Sequence, residues 1–314
     1  MFIFYTLLGC LSALIVISLI ASLICFFRIF YVKEENKRPK SEFDIPEGEV
    51  YEKHREGMIS WMKAVRAMDA EELSVVSFDG LRLYGRFYEH GGEGPIEIML
   101  HGYRGNAERD LSGGVLRAKE LGHSVLLVDQ RAAGKSEGNV VSFGILEKRD
   151  ALSWANLISE RFPRRKIILT GVSMGAATVM SCASEKLPEN VIGILADCGY
   201  TSAEAIIKKV MRDMHLPARL LYPFAVLGAR LFGHFDLNET PPVEALAKAR
   251  VPVIFFHGDT DDFVPAYMSE ENYNACTSPK RLVFIEGAGH GLAYPIDSTT
   301  YLNEMRDFFA PFLK

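Results

Sequence analysis

The chain opens on an apolar run: from Phe2 to Phe27 no side chain is charged, and Leu, Ile, Phe and Val dominate. This exceeds the roughly 20 residues that cross a hydrocarbon core, so residues 1–30 are expected to form one transmembrane helix. A cleaved signal peptide fits less well. No Lys or Arg precedes the run, it is long for an h-region, and no small-x-small site follows it. Arg28, Lys33, Lys37, Arg38 and Lys40 all lie after the run, interrupted by Glu34 and Glu35. That one-sided positive flank predicts that the remainder of the chain faces the cytoplasm.

Residues 31–72 read as a linker followed by a helix near 51–69, with Met58, Trp61, Met62 and Val65 at helical spacing. The stretch 74–88, broken by Asp79-Gly80, carries a hairpin signal. Beyond it, strand-like apolar runs at 96–100, 124–129, 166–170, 191–196, 252–256 and 282–285 alternate with helical stretches that include 146–161 and 299–312. The alternation predicts an α/β domain over residues 73–314, with a mainly parallel sheet and helices on both faces. More chain lies between 199 and 250 than one crossover needs. Its helical pieces, 203–214 and 217–232, are dense in Leu, Phe, Val and Tyr, and two readings stay open: a crossover packed on the sheet, or a small cap forming an acyl pocket. The domain is expected to need nothing ahead of Pro39.

Three loops that follow apolar runs carry the candidate chemistry. Gly171-Val172-Ser173-Met174-Gly175 lies where a strand gives way to the small residues Ala176-Ala177-Thr178, the layout of a nucleophile elbow with Ser173 at its apex. Met174 would offer one backbone N–H to an oxyanion. The run 96–100 leads into His101-Gly102-Tyr103, where Tyr103 would offer a second N–H by its backbone and not its phenol. Asp259, Asp261 and Asp262 crowd the loop after 252–256, and Asp197 ends a neighbouring strand, so the orienting acid stays open among four carboxylates. Gly287-Ala288-Gly289-His290 supplies one histidine, the natural base.

The stretches His101-Gly102-Tyr103, Asp129-Gln130-Arg131, Gly171 to Gly175, Asp197-Cys198-Gly199-Tyr200, His257 to Pro265 and Gly287 to His290 closely resemble the α/β-hydrolase superfamily. The likeness covers about Leu73 to Lys314, and within the superfamily it is to bacterial serine hydrolases: esterases and relatives of prolyl-oligopeptidase-type and serine-aminopeptidase-type domains. It implies the α/β-hydrolase fold and selects Asp261, four residues after His257, as acid and His290 as base. Asp262 departs from the pattern, since a neutral or basic residue is expected there; a second carboxylate would share the site or cap the following helix. The implied activity is a serine hydrolase acting on an acyl ester, carboxylesterase- or lipase-like, through an acyl-enzyme at Ser173 and without metal or organic cofactor. A serine peptidase or an acyltransferase is the alternative on the same fold, and a non-catalytic membrane-anchored scaffold is a third reading.

Composition adds limits. The formal net charge of −5 over 314 residues, with Lys and Arg scattered, argues against nucleic acid as a partner. A small or lipid-like acyl substrate and the membrane are the partners expected. Cys10 and Cys25 lie in the apolar run, leaving Cys182, Cys198 and Cys276, an odd set without metal-ligand spacing. Of these, Cys198 is the one expected near the active-site face.

Overall fold

The computed structural model describes residues 1–39, 41–90 and 92–313. Lys40 of the basic flank and Lys314 at the end of the expected domain lie outside them. The strands are β1 (Glu71–Val76), β2 (Arg82–Tyr88), β3 (Ile96–Leu100), β4 (Ser124–Asp129), β5 (Ile167–Val172), β6 (Val191–Asp197), β7 (Val253–Gly258) and β8 (Lys280–Ile285). The helices begin with α1 (Phe2–Ile29), α2 (Glu49–Glu52), α3 (Arg55–Arg66), α4 (Ala107–Glu120), α5 (Ile145–Arg161) and α6 (Met174–Ser181). They continue with α7 (Ala203–Asp213), α8 (Ala218–Phe232), α9 (Pro242–Leu246), α10 (Tyr267–Ala275), α11 (Ala293–Ile296) and α12 (Ser298–Phe309).

One sheet runs in the order β1-β2-β4-β3-β5-β6-β7-β8. The expected hairpin forms its edge, with β1 antiparallel to β2 and β2 antiparallel to β4, and every later pairing is parallel. The interior strands are apolar on both sides because both sides are covered. Ile98, Leu169, Ile194 and Phe255 point to one face, where α5 and α6 bring Trp154, Ala177 and Met180. Their strand neighbours Ile168, Leu195, Ile254 and Phe256 meet Tyr301, Met305 and Phe309 of α12 on the other. Farther along that face Met99, Val125 and Leu127 meet Val115 of α4 and Val65 of α3. This layer also buries an ion pair. Glu97 of β3 is fully buried, ion-paired with Arg117 of α4 and hydrogen-bonded to His123 Nδ1 (2.9 Å) and Thr170 Oγ1 (3.0 Å).

Among the described residues α1 is the one helix long and apolar enough to cross a membrane. It does not stop at a flexible joint. Phe26, Phe30 and Val32 enter the main core, Val32 N–H donates to Asn139 O (2.8 Å), and Val141 N–H donates to Phe30 O (2.9 Å). Gly134 N–H donates to the carbonyl of the buried Lys37 (2.9 Å). Part of the expected linker is therefore built into the domain, and a cut before Pro39 removes core residues, contrary to the expectation that nothing ahead of it is needed. The expected helix after it is two pieces, α2 and α3. On α3, Met62 and Val65 are buried, and Trp61 lies over Gly113, where a Cβ would meet its ring at 2.8 Å.

Candidate active site

β5 ends directly in α6, and Ser173 joins them with φ +56° and ψ −115°. A non-glycine residue in this region is strained by about 1–3 kcal/mol and persists only where its surroundings fix it. They do so here. Ser173 N–H donates to Asp197 O on β6 (2.8 Å), and Ala177 N–H donates to Ser173 O (3.0 Å). The flanking glycines are steric requirements: a Cβ on Gly171 would overlap the Gly175 carbonyl, and one on Gly175 would overlap the Leu100 carbonyl of β3.

The loops after β7 and β8 deliver the partners. Ser173 Oγ lies 2.9 Å from His290 Nε2. His290 Nδ1 lies 2.7 Å from Asp261 Oδ2. With the proton on Nδ1 donated to the carboxylate, Nε2 presents its lone pair to the serine hydroxyl. Asp261 is held from three more directions. Its Oδ1 accepts N–H bonds from Phe263 (2.9 Å) and Val264 (2.8 Å), and His257 Nε2 lies 3.2 Å from Oδ2. The neighbours of His257 select its tautomer: Val264 O (2.8 Å) can only accept, so Nε2–H donates to it and toward Asp261, and Nδ1 is left to accept from Ser269 Oγ (2.6 Å). Burial opposes charge on Asp261, but the hydrogen bonds from His257, His290 and Val264 outweigh it and hold the carboxyl below its usual range.

The His101-Gly102-Tyr103 turn lies against the serine; a Cβ on Gly102 would come within 3.6 Å of Ser173 Cβ. His101 Nδ1 donates to Gly102 O (2.8 Å) while its Nε2 accepts Gln130 N–H (3.1 Å). Gly105 N–H donates to the same carbonyl (3.2 Å). A trans peptide points its C=O and its N–H in opposite directions, so pinning the Gly102 carbonyl aims the Tyr103 N–H. That N–H and the N–H of Met174, first residue of α6, have no partner among the described residues. Tyr103 also uses its phenol, which sequence reasoning set aside: its O–H donates to Ile29 O at the end of α1 (2.6 Å).

The other carboxylates go elsewhere. Asp259 accepts Gly287 N–H (2.7 Å) and bridges the two loops. Asp262 is exposed, and its backbone carbonyl receives the Lys209 ammonium. Asp197 Oδ2 accepts Tyr301 O–H (3.0 Å), while Oδ1 has no partner among the described residues. Burial raises the Asp197 carboxyl to about 6 against the lowering pull of Tyr301 and Arg117. Cys198, at φ +47°, brings its thiol into one cluster with Asp261 and His290, all three ligand atoms lying within 4.8 Å of one another. The set suits a metal poorly. Asp261 and His290 are spent on each other, and burial holds the thiol well above its ordinary value, hence protonated.

Sequence reasoning missed two contributors. His257 was visible, four residues ahead of Asp261, but not as a second donor to it. Tyr51 of α2 gave no signal, yet its O–H donates to His290 O (2.9 Å). Burial, with Cys198 and Asp261 nearby, pushes that phenol well above its ordinary value.

Residues 98–300 match the family model described as the alpha/beta hydrolase family. The chain is 30% identical over 241 residues to the uncharacterized protein Rv2307c of Mycobacterium tuberculosis, covering 76% of this chain and 78% of that one. It is 29% identical over 191 residues to the uncharacterized protein YqkD of Bacillus subtilis, covering 60% of this chain and 63%, under two thirds, of that relative. Among solved structures, esterase Pf2001 of Pyrococcus furiosus superposes with a TM-score of 0.64 at 20% identity, covering 80% of this chain and 94% of that one, which shows a shared fold.

Proposed function

The chain belongs to the alpha/beta-hydrolase family, and from that premise we propose that it is a membrane-anchored serine hydrolase that cleaves an acyl ester. The observation that carries the reading is the continuous relay from Ser173 Oγ through His290 to Asp261, at 2.9 and 2.7 Å, with the serine on a strained elbow. Ser173 Oγ bonds to the ester carbonyl carbon as its proton passes to His290 Nε2. The oxyanion is received by the N–H groups of Tyr103 and Met174. His290 gives the proton to the departing alcohol, leaving an acyl-serine. Water then repeats the sequence, with its proton taken by His290 and returned to Ser173. Asp261 keeps the imidazole in the Nδ1–H tautomer and balances its transient charge. The anchor is α1, and the basic flank supports a cytoplasmic domain.

Labelling with a fluorophosphonate tests this. The full chain is expected to be modified at Ser173 and the S173A variant not at all, with an unchanged melting profile. Equal labelling of parent and variant would remove Ser173 from the mechanism. An ester panel set beside an aminoacyl-amide panel separates the esterase from the peptidase reading.

A further inference from the structure

The positions along α1 that lose exposure are Ser18, Ala21, Ser22, Cys25, Phe26 and Ile29, a single face of the helix. Gly228 of α8 fits against it: a Cβ there would lie 2.5 Å from Ser22 O and 3.3 Å from Phe26 Cβ. Ala225 and Ala229 beside it are fully buried. Close approach over small residues is how helices pair within a bilayer. The pairing also has a direction. Gly228 lies at Ser22, the Phe232 ring lies 5.8 Å from that of Phe26, and the Phe235 ring 5.3 Å from that of Phe30. Residue numbers rise together, so the two helices run the same way and the start of α8 points toward the membrane end of α1.

That end carries apolar side chains with nothing over them. Met214 and Leu220 are each 64% exposed and Leu216 40%, beside the exposed Arg212 and Arg219. At 1.5 Å per residue the 28 residues of α1 extend about 42 Å, roughly eight residues more than a ~30 Å hydrocarbon core takes up. The surplus corresponds to Ser22–Ile29, which puts the contact at Gly228 near the bilayer surface, and the residues of α8 ahead of Gly228 then reach toward the hydrocarbon. We propose that the α7–α8 arm is seated, tip first, in the bilayer that α1 crosses, with Met214, Leu216 and Leu220 against lipid, and that acyl substrate enters the site from that membrane. The second half of the proposal rests on the acyl-ester reading. The site lies between arm and anchor: Lys209 of α7 bonds the Asp262 carbonyl beside Phe263, whose ring lies 5.0 Å from that of His290, and Tyr103 is tied to Ile29.

Tryptophan fluorescence of the full chain in phosphatidylcholine vesicles with brominated acyl chains reads the placement without reference to activity. Leu220→Trp is expected to be quenched beyond the parent, which carries Trp61 and Trp154, and more strongly than Leu231→Trp at the far end of α8. No added quenching at Leu220, or stronger quenching at Leu231, overturns the seating. A copy-to-copy contact on this face would give cross-linking without quenching and overturn it too. For delivery, Met214→Glu combined with Leu220→Glu is expected to leave hydrolysis of a short water-soluble ester within about twofold and to lower that of a long-chain ester in vesicles by about tenfold, since charge opposes insertion. Equal loss on both esters overturns delivery. A parent that hydrolyses neither ester and escapes fluorophosphonate removes the acyl-ester reading, while the quenching result still decides the seating.

Discussion

Asp261 has four hydrogen-bonding neighbours where orienting one imidazole requires one. The surplus keeps it ionised. Its folded pKa is depressed, so what it contributes is present above the unfolded value near 3.9 and is lost only as pH falls through the lower folded one. Asp261→Asn is expected to lower kcat by about 10⁴, because the amide no longer selects the Nδ1–H tautomer. Asp259→Asn and Asp262→Asn should stay within about tenfold of the parent, and steady-state kinetics on one ester ranks all three. Asp197 has the opposite sign. Raised to about 6 in the fold, it favours the native state below pH 4 and loses that contribution as pH rises through 6. Asp197→Asn should therefore flatten the decline in stability between pH 4 and pH 8, by roughly 2 kcal/mol, in denaturant melts at the two pH values. The residues of this relay were legible unequally. Ser173 and His290 stand out by their glycine-flanked settings, whereas the choice among four aspartates rested on family resemblance, because the turn from Gly258 to Val264 decides which carboxylate faces inward. Tyr51 could not be read at all, being 239 positions from His290.

Strands and helices were legible to within a residue or two where period and punctuation agreed, as in the paired helices α7 and α8, whereas the hairpin about Asp79-Gly80 begins three residues ahead of the expected start, at Glu71. Glu97 shows what period leaves out. Its strand reads as apolar, yet it carries a fully buried carboxylate whose compensation, Arg117, His123 and Thr170, comes from three other places in the chain. Arg117→Met should cost about 3–5 kcal/mol, the loss expected when one member of a buried ion pair is removed. Adding Glu97→Leu should recover part of it, and urea unfolding of the parent, single and double variants checks both. The α1–α8 seam was illegible for a different reason: leucine and phenylalanine are as content against lipid tails as against a protein core, so composition does not separate the turns of α1 that meet one from those that meet the other. Gly228→Leu should force those helices apart and lower the melting temperature by several degrees, an overpacking cost of about 1–3 kcal/mol.

For the whole molecule the anchor should hold the full chain in the membrane fraction through high salt and carbonate, as burial of a spanning helix requires. Removing residues 1–38 takes Phe26, Phe30 and Val32 out of the core and should leave aggregated protein, whereas removing 1–17 should leave a cooperative thermal transition. A soluble, fully active product from the longer deletion would show that these residues are dispensable. The bond from the Tyr103 phenol to Ile29 O bears on how the chain can be rebuilt. The hydrophobic boundary near Phe27 invites a splice there, but a graft at that point would take Phe26 out of the core and present the Ile29 carbonyl to Tyr103 from a helix of foreign phase. An interchangeable anchor ends before Ser18; everything after it is already enzyme.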